Sequence, residues 1–284
     1  MTPQSQQLAL AMAALAACGS PAGSTAGSTT PAAPGRHASI GPLRMYHEVH
    51  GAGEPVVLLH GGGSTIQTSF GRLLPRLAAA RQVIAVELQA HGRTADVDRP
   101  LSFTQDADDV AALLQQLGIA GADVIGFSNG ATTAVHLAIR HPAAVRKLVL
   151  ISGTLSAAGM LPELREAFKA EPSVDNMPPS LRSAYEAVAP RPQDLPIMVE
   201  KGALRMRNFE DIPPAAVRAL EAPALVIAGD RDVIRPEHTV EMFRTFRHGS
   251  LAILPGTDHM QIMDRDDLLW PLIAPFLDAP PPVH

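Results

Sequence analysis

From residue 43 onward, short apolar runs alternate with longer segments whose apolar positions recur at helical spacing. Six of the runs, at 56–60, 83–87, 124–127, 147–152, 224–229 and 251–254, are apolar at nearly every position, as strands are when both faces are covered. Residues 43–49 read as an antiparallel edge strand. Helical length and period fall at 70–80, 104–117, 129–141, 236–246 and 266–276. Strands and helices in this alternation predict an α/β fold, a doubly wound and mostly parallel sheet with helices on both faces.

The alternation breaks between residues 155 and 214. Prolines recur there, among them Pro162, Pro178, Pro179, Pro213 and Pro214, between short amphipathic segments and with no β-run. Proline suits the first turn of a helix, where its missing N–H has no partner to lose. The stretch therefore reads as a small helical cap inserted after the strand that ends near Ser152. Excursions of this kind often cover active sites, and this one is expected to shape a substrate pocket.

Ahead of the body, residues 8–17 (LALAMAALAA) form an apolar run too short to cross a bilayer and suited to the core of a signal peptide. It ends at Cys18, the only cysteine in the chain, and residues 15–19 (LAACG) resemble the bacterial lipobox, in which such a cysteine is lipidated and becomes the new N-terminus. A stretch rich in Gly, Ser, Thr and Pro follows. The expected organisation is a signal peptide over 1–18, a flexible tether over 19–37 and one domain over 38–284. The expected place is the cell envelope, with membrane contact through the lipid anchor only. A secreted protein and a cytoplasmic one are the alternatives.

Composition narrows the partners. With 46% hydrophobic and 18% charged residues, the chain has the make-up of a folded enzyme rather than a disordered segment. Its 23 basic residues against 28 acidic ones, with no long basic run, leave no positive footprint for nucleic acid. Eleven histidines raise the question of a metal, yet His47-Glu48-Val49-His50 lacks the spacing that puts two ligands on one helix face. On a strand, His47 and His50 point to opposite sides. No metal site is assigned.

Four motifs carry the chemistry. Residues 123–133 run from a strand through Gly126-Phe127-Ser128-Asn129-Gly130 into a helix, the arrangement that thrusts a serine outward on a sharp turn. The flanking glycines leave room where Cβ atoms would not fit. His60-Gly61-Gly62-Gly63 follows the first buried run and fits an oxyanion loop, whose glycines let backbone N–H groups approach a developing negative oxygen. Gly62 and Asn129 are the expected donors. No phosphate-loop or dinucleotide glycine pattern occurs. Gly229-Asp230-Arg231-Asp232 and Gly256-Thr257-Asp258-His259 each follow a late strand, where the ligand crevice of an open parallel sheet lies.

Asp232 is the expected orienting acid. Asp258 adjoins the histidine in sequence, so their side chains diverge on an extended backbone. Asp230 stands at the strand end, where an aspartate commonly bonds nearby backbone N–H groups in a turn.

In this order, HGGG, HGRT at His91 to Thr94, GFSNG, GDRD and GTDH resemble the α/β-hydrolase superfamily over residues 43–277, and within it the esterase and cofactor-free haloperoxidase branch with a small helical lid. The resemblance implies that Ser128 attacks a carbonyl carbon while His259 takes its proton, that Asp232 holds the imidazole tautomer, and that water resolves an acyl-enzyme without a cofactor. Serine at the elbow, where epoxide hydrolases and haloalkane dehalogenases carry aspartate, implies acyl transfer. The implied substrate is a small or medium carboxylic ester; lactonase, thioesterase, amidase and perhydrolase chemistry would use the same residues. An alternative of another class is a non-catalytic lipoprotein that keeps the fold to bind a ligand or partner. Ala131 stands where many relatives carry glycine, and is expected to crowd the contact between helix and strand slightly.

Overall fold

A computed structural model describes residues 35–280 of the chain. Cys18, the signal peptide and nearly all of the expected tether lie outside the described residues. The body begins on strand β1 (Arg36–Ile40), so Arg36 and His37, expected in the tether, belong to the sheet. The chain then alternates through β2 (Leu43–His50), β3 (Pro55–Leu59), helices α1 (Ile66–Phe70) and α2 (Leu73–Ala78), β4 (Gln82–Val86), α3 (Phe103–Gln116), β5 (Ala122–Phe127), α4 (Asn129–Arg140) and β6 (Val145–Ile151). After an excursion come α8 (Pro214–Arg218), β7 (Ala224–Arg231), α9 (Pro236–Thr245), β8 (Gly249–Asp258) and α10 (Asp266–Asp278). The eight strands form one sheet in the order β1-β2-β4-β3-β5-β6-β7-β8. The first three in that order pair antiparallel and the rest parallel. This is the doubly wound sheet that the hydrophobic pattern predicts.

Alternate residues of the strands supply two separate cores. Val57, Leu59, Ile84, Val124, Leu148 and Val226 face α3, α4 and α9 on one side. Val56, Leu58, Val83, Ile125, Val149 and Ile227 face α1, α2 and α10 on the other. Because both faces are covered, successive side chains are all apolar, and the strands show as unbroken runs in the sequence.

The structure corrects the sequence reading in three places. Strand β1 has only Ile40 buried, so it gives no apolar run; it forms by hairpin pairing with β2 across a turn at Gly41, which takes φ 56. The helix expected over 70–80 is two short helices. Pro75 is tolerated only near the start of a helix, and α2 accordingly starts anew at Leu73. The strand expected over 251–254 extends from Gly249 to Asp258, because β7 and β8 resume pairing at Arg231 and Asp258 beyond a register shift.

The excursion carries α5 (Pro162–Lys169), α6 (Pro179–Val188) and α7 (Leu195–Arg207). Its stem is held by backbone bonds from Leu161 to Val233 at 2.8 Å and from Ile212 to Leu155 at 2.8 Å. Lys201 of α7 reaches Asp96 at 2.6 Å and two carbonyls of the loop after β4, fastening the helical layer over the sheet ends. No helix among the described residues is long and apolar enough to cross a membrane.

The expected crowding at Ala131 is relieved by Gly153. A Cβ added at Gly153 would meet the Ala131 methyl at 2.6 Å, with the next nearest atom at 3.7 Å. The two positions share space for one methyl group. Gly153→Ala is expected to destabilise the fold by about 1–3 kcal/mol, and Ala131→Gly in the same chain to recover part of that loss. Urea denaturation of the two single variants and the double variant measures the coupling; additive losses would sink the shared-space account.

Candidate active site

Five adjacent parallel strands, β3, β5, β6, β7 and β8, end at one edge of the sheet, and their C-terminal ends bring the expected residues together. Ser128 lies between β5 and α4 at φ 54 and ψ −119, a backbone region that non-glycine residues seldom enter. A Cβ at Gly126 would sit 2.3 Å from the Gly130 carbonyl oxygen, and one at Gly130 would sit 2.0 Å from that of Leu59. Both glycines are therefore required by close backbone approach.

His259 follows β8 and its Nε2 lies 3.0 Å from Ser128 Oγ. Its Nδ1 lies 2.7 Å from Asp232 Oδ1. With Nδ1–H donating to the carboxylate, Nε2 is free to accept from the serine hydroxyl. Asp232 is buried, and burial pushes its carboxyl up, but the His259 ring, the Ser152 hydroxyl and the Ile234 amide outweigh this and hold it below the ordinary carboxylate range. Phe127 packs against the imidazole with ring centroids 5.2 Å apart.

The other two aspartates go elsewhere. Asp258 accepts from the amides of Met260 at 2.9 Å and Gln261 at 2.8 Å, closing the turn after His259. Asp230 accepts from the Thr257 amide at 3.1 Å, so it ties β7 to β8 instead of bonding within its own turn as expected. His50, read for a metal and set aside, bonds Glu48 on the same face of β2 at 2.8 Å.

Gly62 and Asn129 lie side by side, since a Cβ at Gly62 would be 2.4 Å from Asn129 Nδ2. The Asn129 amide begins α4, where no carbonyl lies one turn back to receive it. The loop that carries Gly62 is pinned by His60, which donates from Nδ1 to the Gly61 carbonyl at 2.8 Å and accepts at Nε2 from the Leu88 amide at 3.0 Å.

Full burial pushes His60 down to about 4, so it is neutral at pH 7. Its folded pKa lies below the unfolded one, so its contribution to stability is complete above about pH 6.5 and is lost as pH falls towards 4, by up to about 3 kcal/mol. Urea denaturation between these limits should show stability falling with acid, and a shallower slope in His60→Asn. Equal slopes would contradict the account.

Two further residues were not found from sequence. Ser152, directly after β6, is buried with Oγ 2.5 Å from Asp232 Oδ2. Arg205 of α7 is buried, bonds Asp106 of α3 at 2.9 Å through Nη1, and leaves Nε without a partner among the described residues. A serine closing a strand and an arginine on an irregular helical stretch give no periodic signal. Both line a cavity of about 310 Å³ that opens at Ser128 and His259. Its walls are largely apolar, with Met160, Met177, Met198, Met206, Met260 and Phe168. Methionines adapt to irregular apolar ligands.

The alpha/beta hydrolase family model matches residues 56–270. Over 249 residues the chain is 29% identical to a pimeloyl-[acyl-carrier protein] methyl ester esterase of Neisseria meningitidis serogroup B, covering 79% of this chain and 93% of that one. It is 36% identical over 141 residues to a 2-hydroxy-6-oxo-2,4-heptadienoate hydrolase of Pseudomonas putida, 46% of this chain and 48% of that one. A solved meta-cleavage product hydrolase from Pseudomonas fluorescens shares the fold at TM-score 0.74 and 18% identity, covering 87% of this chain and 98% of its own. The family match spans β3 to α10 and with them every strand end that meets at the cavity; the chain belongs to the alpha/beta hydrolase family.

Proposed function

We propose that this protein is a serine hydrolase that cleaves a small or medium carboxylic ester through an acyl-enzyme. The hydrogen-bonded line from Ser128 through His259 to Asp232, with spacings of 3.0 and 2.7 Å, carries the reading. His259 takes the hydroxyl proton as Ser128 Oγ bonds the carbonyl carbon, and Asp232 stabilises the imidazolium. The amides of Gly62 and Asn129 receive the oxyanion. The imidazolium returns its proton to the departing alkoxide, and water then repeats the sequence on the acyl-enzyme. The esterase among the relatives supports ester chemistry. A fluorophosphonate probe should label Ser128 in the native protein and not in Ser128→Ala. No labelling, together with no turnover across a panel of esters, lactones and thioesters, would defeat the proposal.

A second reading concerns the substrate. Arg205, whose Nη1 is held by Asp106, keeps an Nε–H without a hydrogen-bond partner among the described residues beside a mostly apolar cavity, which suits a substrate bearing its own carboxylate; the heptadienoate hydrolase among the relatives has a carboxylate in its named substrate. Monoesters of dicarboxylic acids, compared with neutral esters of equal length, test it. A preference for the anionic ester that disappears in Arg205→Leu is expected.

We also propose that Cys18 is lipidated and anchors the protein to a membrane of the cell envelope. Cys18→Ala should then move the protein from the detergent phase to the aqueous phase with turnover unchanged. Unaltered partitioning would refute the anchor.

A further inference from the structure

Ser152 stands after β6 where Ser128 stands after β5. Phe127 and Ile151 are register partners in the parallel sheet, so each serine lies one residue past a paired strand end. Both take φ 54. Both donate their amides to the next strand, Ser128 to the Ile151 carbonyl at 2.8 Å and Ser152 to that of Ile227 at 2.7 Å. Neighbouring strand ends thus each carry a serine at the same positive φ and present two hydroxyls.

Glycine would adopt φ 54 without strain, so a buried serine there calls for a reason in its side chain. That side chain has one partner. Oγ lies 2.5 Å from Asp232 Oδ2, and no other group among the described residues bonds that oxygen. The other oxygen, Oδ1, holds His259 Nδ1 at 2.7 Å and the Ile234 amide at 3.1 Å. Ser152 is 1% exposed, so water cannot readily replace its hydroxyl.

We propose that Ser152 is a positioning residue for proton transfer: its hydroxyl donates to Asp232 Oδ2 and turns the carboxylate so that Oδ1 faces the His259 ring. This rests on the reading of Ser128, His259 and Asp232 given above. The hydroxyl also draws charge from a carboxylate that must stay ionised while buried, and so moderates how strongly Asp232 favours the imidazolium. Without it the carboxylate is more basic and less well aimed.

Ser152→Ala removes the hydroxyl and keeps the strain; Ser152→Gly removes both. Hydrogen bonds to charged groups are strong enough that kcat should fall about ten- to a hundredfold in each variant, with KM little changed. The acid limb of kcat/KM should move up by about half a pH unit, because a carboxylate freed of a donor holds the imidazolium more tightly. A role confined to folding would leave the pH profile in place. Glycine fits the backbone, so Ser152→Gly carries the measurement if Ser152→Ala does not fold. Native kcat and an unmoved profile in either folded variant would overturn the proposal. If the native protein neither turns over esters nor labels at Ser128, the hydrolase reading fails separately. The ¹⁵N titration of the His259 ring then decides: an upward shift in the Ser152 variants supports positioning, and an unchanged titration overturns it.

Discussion

Ser128→Ala, His259→Ala and the double variant are expected to lose nearly the same activity, with kcat lower by on the order of a million-fold in each. In the proposed mechanism the 3.0 Å contact between Oγ and Nε2 couples the two groups. Alanine at 128 leaves a base with nothing to activate, and alanine at 259 leaves a hydroxyl that is hardly nucleophilic at neutral pH. Once one is gone, removing the other takes away little more. Residual turnover above that in water would come from the cavity and the Gly62 and Asn129 amides. Steady-state kinetics on one activated ester settles the matter. Losses that multiply in the double variant would mean that the two residues act independently.

The next largest effect is expected at Asp232. Asp232→Asn should keep the fold and lower kcat by roughly ten-thousand-fold, because an amide N–H facing Nδ1 favours the tautomer whose Nε2 carries the proton and cannot accept from Ser128. Asp230→Asn is the control two residues away. It alters a bond to the Thr257 amide at an exposed site and should leave turnover near the native value. Both variants, checked for native circular dichroism and assayed together, test the assignment. Near-native turnover in Asp232→Asn, or collapse in a folded Asp230→Asn, would transfer the role.

Much of this molecule is legible along the chain, and the reason is local. A strand covered on both faces has to be apolar at successive positions, so β3 to β7 announce themselves as runs such as Val56 to Leu59 and Val124 to Phe127. Gly126 and Gly130 flank Ser128 because a Cβ at either would come within 2.3 or 2.0 Å of a backbone carbonyl oxygen, and such constraints leave a fixed spacing that can be read without coordinates. The order of GFSNG, GDRD and GTDH follows from strand ends that face one crevice.

What the chain does not spell out are relations between distant residues that no spacing encodes. Strand β1 owes its existence to pairing with β2, since its own residues are mostly exposed. Which aspartate meets His259 depends on how β7 and β8 align past their register shift: the same alignment sends Asp230 to Thr257 and Asp232 to the imidazole. Ala131 is accommodated by a missing side chain 22 positions later, at Gly153. Ser152 and Arg205 are ordinary letters in the sequence. One becomes the partner of a buried carboxylate because β6 lies beside β7, and the other becomes a cation in the cavity because α7 folds back over α3. Local chemistry writes itself into spacing and pattern, whereas convergence of side chains across a sheet follows from packing and arises only when the whole chain has folded.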